Sequence, residues 1–452
     1  MTDMDVWNKA RILVRSKNQW RRKVSSGRFA EQGTDVEALL SGAPPRWAKA
    51  VSLVQRAKEP WWVSDLHALK GFLSNWINLL LAAVPLGIVA GALKWNAVYV
   101  FCLNFVALVP LALLLGDVTE DLALRYGSVI GGLINATFGN IVEIILSIAA
   151  LYNGLYDVVR ASLLGSILSN LLLVTGCSFF FGGLYNKTQK FNATGTQASS
   201  SLLFLAALAF LIPTGGGLMF APGNGDDKQR EDMVLAISRG TAVVMLLCYG
   251  CYLAFQLGTH VDLFQDEGNG GNNGAGGSGS GGNGEEGEEA AAGSHGADDP
   301  VLSLFTSATL LTAITLTVAV SSEFLTSSLE QFSKRSGLGE AFLGTIVLPI
   351  AGNACEHLTA VVVATKNKMD LSMGVAIGSS IQVALFAVPL AVVVAWVSGL
   401  PFSLSFDPFS AVALMLSVAQ VNFVTAGATS HWLLGVQLIA LFVLLSLAYY
   451  FK

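Results

Sequence analysis

Charge is scarce in this chain: 13% of its 452 residues are Asp, Glu, Lys or Arg, while 53% are hydrophobic. So low a charge content excludes an ordinary soluble globular protein and leaves an integral membrane protein. Short segments of alternating polarity are lacking too, which excludes a transmembrane β-barrel and predicts an all-α polytopic fold. Histidine is rare, with five residues and no His-Glu-x-x-His, so the ligand set of an intramembrane metalloprotease is missing. A channel would want a ring of acids contributed by several subunits, and no such pattern is present. The five cysteines, Cys102, Cys177, Cys248, Cys251 and Cys355, all fall in expected spans, which argues against a disulfide framework. Cys248-Tyr-Gly-Cys251 has redox spacing but no charged neighbour to lower a thiol pKa, so it reads as packing. No enzyme activity, cofactor or nucleic-acid partner is expected; membrane lipid is.

Before Trp76 no apolar stretch is long enough to insert, so insertion is expected to use the first span itself. Residues 1–75 hold 13 of the 26 Lys and Arg against 7 acids, which by the positive-inside rule marks a cytosolic basic tail, regulatory or simply an anchor. From residue 76 the hydropathy predicts eleven spans: 76–94, 97–116, 128–151, 161–182, 197–220 and 235–257, then 301–322, 340–364, 372–398, 403–423 and 432–451. Residues 258–299 between the two groups carry nine acids and no Lys or Arg in a Gly-, Asn- and Ser-rich run. That composition cannot bury a core and reads as an acidic cytosolic linker, a cation gatherer or a spacer. Its glycines lack the Lys-Ser/Thr ending of a phosphate-binding loop.

Within this apolar background two phrases stand out, Gly139-Asn140-Ile-Val-Glu143 and Gly352-Asn353-Ala-Cys-Glu356, set 213 residues apart. Each Glu is followed 22 residues later by a Gly-Ser pair, Gly165-Ser166 and Gly378-Ser379, so the chain contains an internal repeat. With the first span set aside, 76–257 holds one five-helix unit and 300–452 another. Because five is odd, the units enter the bilayer from opposite sides, the inverted arrangement of secondary transporters. An ionisable side chain within a span costs about 2.5–3.5 kcal/mol on insertion scales, so Glu143 and Glu356 need an explanation. Asn and Glu at i and i+3 share a helical face, and Gly139, Pro349 and Gly352 weaken the ladder there, freeing backbone carbonyls. Ser166 with Ser169 in one copy, and Ser379 with Gln382 in the other, add further oxygens. An all-oxygen set with two carboxylates suits a hard cation such as Ca²⁺; carboxyls protonated as helix glue are the alternative, which the duplication disfavours. His357 should point about 100° from Glu356, placing it on a proton route or in a helix-capping hydrogen bond. Glu120 and Glu323 lie toward the ends of their expected spans as candidate vestibule acids, while Asp121 and Glu330 read as solvated at the interface.

Gly132-Leu-Ile-Asn135-Ala-Thr-Phe-Gly139-Asn140-Ile-Val-Glu143, together with Gly352-Asn353-Ala-Cys-Glu356-His357 and Ile237-Ser238-Arg239-Gly240-Thr241, resembles the signature repeats of the cation/proton exchanger family. These are the vacuolar Ca²⁺/H⁺ antiporters of plants, fungi and algae. The resemblance implies an eleven-span exchanger of the vacuolar membrane in which both Glu residues bind the ion. It implies Ca²⁺ and H⁺ as the transported partners and an N-terminal tail able to autoinhibit; homo-oligomerisation and a Na⁺-coupled variant stay open. Two departures are the Gly- and Asn-rich linker and Cys355, which stands where a small Ala is expected.

Overall fold

Residues 61–219, 227–261 and 300–452 are described here, from a computed structural model. The basic tail through residue 60 and residues 262–299 of the acidic linker lie outside the described residues, as do the expectations placed on them. The chain forms two units. In the smaller, helix α1 (Trp61–Leu73) is tied to residues 301–303 through Asp65, whose Oδ1 accepts from the Ser303 amide at 2.8 Å and Oδ2 from the Ser303 hydroxyl at 2.7 Å.

The larger unit runs from α2 (Trp76–Ala92) and α3 (Ala97–Leu124) to the short pair α4 (Gly127–Phe138) and α5 (Ile141–Tyr152), then α6 (Tyr156–Tyr185), α7 (Ala193–Met219) and α8 (Lys228–Thr259). After the linker come α9 (Leu304–Ser336), the broken pair α10 (Glu340–Gly352) and α11 (Ala354–Thr365), α12 (Met369–Val397), α13 (Pro408–Thr425) and α14 (Trp432–Tyr450). Eight of these helices are continuous and apolar enough to cross a membrane, and ten spans result if each of two bent helix pairs is taken as one. The expected eleventh, 128–151, is two short helices instead. Large apolar side chains such as Leu79, Phe305, Val397 and Phe423 stand out at the periphery, as lipid-facing residues do.

The repeat is visible in the backbone as well as in the sequence. Gly154 and Asn367, 213 positions apart, both take a left-handed φ (75° and 61°) just past the helix that carries each Glu. Gly and Asn are the residues that tolerate that conformation most cheaply. The closing bonds match too: the Leu155 amide donates to Ala150 O at 2.9 Å, and the Lys368 amide to Val363 O at 3.1 Å. A π-turn interrupts α6 at Ser169–Val174 and α12 at Val383–Ala387, which are corresponding positions. These two helices form the centre of the core, where Leu163, Ile167 and Leu171 pack with Ile377, Ile381 and Leu385.

Three expectations are corrected. The span predicted to end at residue 322, where the apolar run stops, continues as helix to Ser336, with the hydroxyls of Thr326, Ser327 and Ser328 turned back onto the carbonyls of Glu323, Phe324 and Leu325. Glu323 therefore sits well inside α9 rather than at its end. Asp121 is not an interfacial acid: it is buried and accepts from the Ser307 hydroxyl at 3.1 Å. Glu330 is exposed and paired with Lys334 at 2.5 Å, in keeping with the sequence reading. All five cysteines are free.

Two two-residue strands add a feature absent from the all-α expectation. Gln189–Lys190 pairs antiparallel with Thr429–Ser430, tying the α6–α7 connection to the turn before α14. Asn192 closes this corner: its amide donates to Asp370 Oδ1 at 2.5 Å and its Oδ1 accepts from the Gly195 amide at 3.0 Å, capping α7. Asn192-Ala193-Thr194 is a glycosylation sequon; if the tail is cytosolic and α4 with α5 together cross the membrane once, four crossings precede it and it lies in the cytosol. Electrophoretic mobility of the protein from eukaryotic membranes should therefore be unchanged by deglycosylation, and a shift that disappears in Asn192→Gln would refute the span count.

Candidate functional site

Both signature phrases fall where the helix is interrupted. Gly139 and Asn140 separate α4 from α5, and Asn353 separates α10 from α11, whose axes differ by 59°. Asn140 (φ −108°, ψ 26°) and Asn353 (φ −85°, ψ 14°) have similar non-helical backbones. Each still accepts the first bond of the helix that follows, from the Ile144 amide at 3.1 Å and the His357 amide at 3.0 Å. Glu143 and Glu356 consequently occupy the first turn of α5 and α11 rather than mid-helix positions. There the positive end of the helix dipole, worth about 0.3–1 kcal/mol, offsets a little of the cost of a buried carboxylate.

With their backbones held in the breaks, the two Asn side chains reach across to the other repeat. The Ser379 hydroxyl donates to Asn140 Oδ1 at 3.0 Å, and Asn140 Nδ2 donates to Gln382 Oε1 at 2.5 Å. In the opposite direction the Ser166 hydroxyl donates to Asn353 Oδ1 at 2.9 Å, and Asn353 Nδ2 to Ser166 O at 3.3 Å. The repeats are thus clasped crosswise by residues that the 213-residue offset pairs. Ser169, the remaining member of the predicted set, is buried with no hydrogen-bond partner.

The carboxylates lie inside this clasp. Glu143 is 6% exposed and neither of its oxygens is bonded by another side chain among the described residues; the same holds for the buried Oε2 of Glu356. A Cβ on Gly352 would come within 2.7 Å of Glu143 Oε1, so the first repeat's acid rests against the break of the second. Gly139 similarly leaves room between Asn135 O, 2.7 Å from the position of an added Cβ, and Gln382 Oε1 at 3.5 Å. The glycines, expected to lend carbonyls, serve here as clearance. Beside Glu143 a cavity of about 10 Å³, lined among others by Ser147, Ser162, Pro349 and Gly352, approaches the size that holds one water.

Of the remaining candidates, His357 is half-buried beside Glu356, and Glu120 is exposed near the end of α3, as expected. Glu323, also exposed, accepts from Asn153 Nδ2 at 3.2 Å and so touches the end of α5, the helix bearing Glu143. Cys355 packs its sulfur against Gly116, which has no side chain to obstruct it. Among the described residues no three His, Cys, Asp or Glu side chains gather into a metal cluster, so a cation here would draw on amides and hydroxyls beside the two Glu. One residue of the clasp is absent from the sequence reading: Asn170, fully buried, donates from Nδ2 to Ser379 Oγ at 2.9 Å. Its signal was an amide in an otherwise apolar run, directly after Ser169.

Comparison with known proteins agrees with this architecture. Residues 96–258 and 306–451 match the family described as sodium/calcium exchanger protein, leaving out the tail and the acidic linker. The chain is 38% identical over 379 residues to the vacuolar calcium ion transporter of Schizosaccharomyces pombe, covering 84% of this chain and 85% of that one. It is 40% identical over 373 residues to a Ca²⁺/H⁺ antiporter of Synechocystis, covering 82% and 96%. The solved structure of native YfkE superposes with a TM-score of 0.66 at 32% identity, over 83% of this chain and all of that one. With the family match over both halves of the chain and relatives 38–40% identical over more than four-fifths of it, the chain belongs to the sodium/calcium exchanger protein family.

Proposed function

We propose that the chain is a secondary antiporter that moves Ca²⁺ out of the cytosol across a vacuolar-type membrane in exchange for H⁺. One observation carries the reading: two carboxylates, buried Glu143 and half-buried Glu356, present three buried oxygens that no other side chain among the described residues satisfies. A buried carboxylate without a partner is too costly to stay charged and bare, so it must meet a cation or a proton. Two such groups side by side hold one divalent cation or protons, and each occupant weakens the other. Mutual exclusion at one site is the chemistry of exchange. Alternating access then follows if the two repeats reorient when the site is loaded and resist when it is bare. The vacuolar transporter and the Ca²⁺/H⁺ antiporter among the relatives support this substrate pair and membrane.

In this reading Asn140, Asn353, Ser166, Ser379, Gln382 and Ser169 orient or complete the oxygen set, with Gly139 and Gly352 giving access. His357, Glu120 and Glu323 mark a proton route toward the Glu pair, and the basic tail and acidic linker lie in the cytosol. The test is uptake of radioactive Ca²⁺ into vesicles carrying the purified protein, with an imposed pH gradient. Uptake should stop when an ionophore collapses the gradient and should not require Na⁺. Because both ions want the same oxygens, acidifying the Ca²⁺ side with the pH difference held constant should raise the apparent KM for Ca²⁺ more than it lowers the maximal rate. Gradient-independent or Na⁺-dependent uptake would overturn the reading.

A further inference from the structure

We infer that Asn170 is a positioning residue that makes the two halves of the site unequal and sets its affinity for the divalent cation, an inference that rests on the exchange reading above. Asn170 stands on the π-turn Ser169–Val174 and is completely buried. The residue 213 positions later, in the corresponding π-turn, is Val383, equally buried. An Asn where the matching position takes Val costs desolvation unless its polar atoms serve, and Oδ1 of Asn170 has no partner among the described residues. What Asn170 does have is the bond from Nδ2 to Ser379 Oγ, at 2.9 Å.

That bond heads a relay. Asn170 donates to Ser379, Ser379 donates to Asn140, and Asn140 donates to Gln382. A serine hydroxyl is otherwise a free rotor with one proton and two lone pairs. The incoming amide proton occupies one lone pair, directs the hydroxyl proton at Asn140 Oδ1 and leaves the second lone pair aimed at whatever enters the site. The other half has no such support: Asn353 and Ser166 exchange two bonds, and Ser169 beside them has no partner. The Asn140 half is therefore held by three linked bonds before the cation arrives, and the Asn353 half by two. Preorganised oxygens bind a dehydrating cation more tightly because less order is lost on binding.

The variants are Asn170→Val, which copies the second repeat, and Asn170→Ala, which decides if Val does not fold. Two readings are taken on the purified protein: Ca²⁺ uptake into vesicles and the Ca²⁺ concentration that half-saturates the rise in Tm, a binding signal independent of transport. The expected result is a tenfold increase in KM and in the half-saturating Ca²⁺ concentration, with the maximal rate within about twofold. Ser379→Ala should be weakened similarly, and adding Asn170→Val to it should have little further effect, since the relay is already cut. A folded Asn170 variant with wild-type KM and wild-type Ca²⁺ half-saturation would overturn the inference alone. So would a double variant whose loss equals the product of the two single losses. Wild-type protein that neither exchanges Ca²⁺ for H⁺ nor gains Tm from Ca²⁺ would overturn the exchange reading and this inference with it.

Discussion

Glu143→Gln and Glu356→Gln are each expected to abolish proton-driven Ca²⁺ uptake while leaving the protein folded and inserted. Gln keeps the size of Glu and one carbonyl oxygen but removes the negative charge and the ability to take up a proton at working pH. Folding should be spared, because a neutral amide is cheaper to bury than a carboxylate, and three of the four oxygens concerned are bonded by no other side chain among the described residues. Transport should not be spared. Removing one partner of a buried charged set costs about 3–5 kcal/mol, or more than a hundredfold in affinity. The two losses should be comparable, since each Glu starts the helix after its own break. Glu120→Gln, at an exposed position near the end of α3, should only weaken uptake. If the acids were protonated helix glue, the Gln variants would transport almost normally. Near-normal uptake by either one would end the paired-carboxylate mechanism.

Sequence carried the site further than it carried the fold around it. The two Gly-Asn-x-x-Glu phrases, their offset and the Gly-Ser pairs 22 residues on were legible because charge and amide groups are conspicuous in apolar helices. The same spacing predicted which residues correspond between repeats, but not that the clasps would cross. Spacing along a helix says which side chains share a face; it does not say which helix that face will meet. Glu323 was misplaced because hydropathy marks where an apolar run ends, at residue 322, while the helix runs on through polar residues whose hydroxyls bond to carbonyls three residues back. Asp121 was misread because burial opposite Ser307 depends on the packing of α3 and α9, which periodicity does not register. Asn170 was overlooked for the reverse cause: it has no counterpart in the second repeat, so a reading organised by symmetry passed over it.

Gly352→Ala is expected to reduce Ca²⁺ uptake about a hundredfold, the scale on which a displacement near 1 Å damages a positioned site. The added methyl group would stand 2.7 Å from Glu143 Oε1 and 3.2 Å from its Cδ. The first is too short to stand and the second is tight, and what must yield is the end of a Glu side chain rather than backbone, so Glu143 shifts away while the fold survives. Gly374→Ala on α12 is the matching control, because a Cβ there meets nothing within 4 Å. That change should leave transport intact and stabilise the helix by roughly 0.5–1 kcal/mol, the usual advantage of Ala over Gly in a helix interior. The cause of the Gly352 defect can be separated from a general loss of packing by shortening the displaced side chain. Glu143→Asp withdraws the carboxylate by one methylene, so combined with Gly352→Ala it should restore part of the uptake that Gly352→Ala alone destroys. Wild-type uptake by Gly352→Ala would mean that Glu143 need not rest against the break of the other repeat. A double variant with no more activity than Gly352→Ala would place the damage in the α10–α11 hinge rather than in contact with the carboxylate.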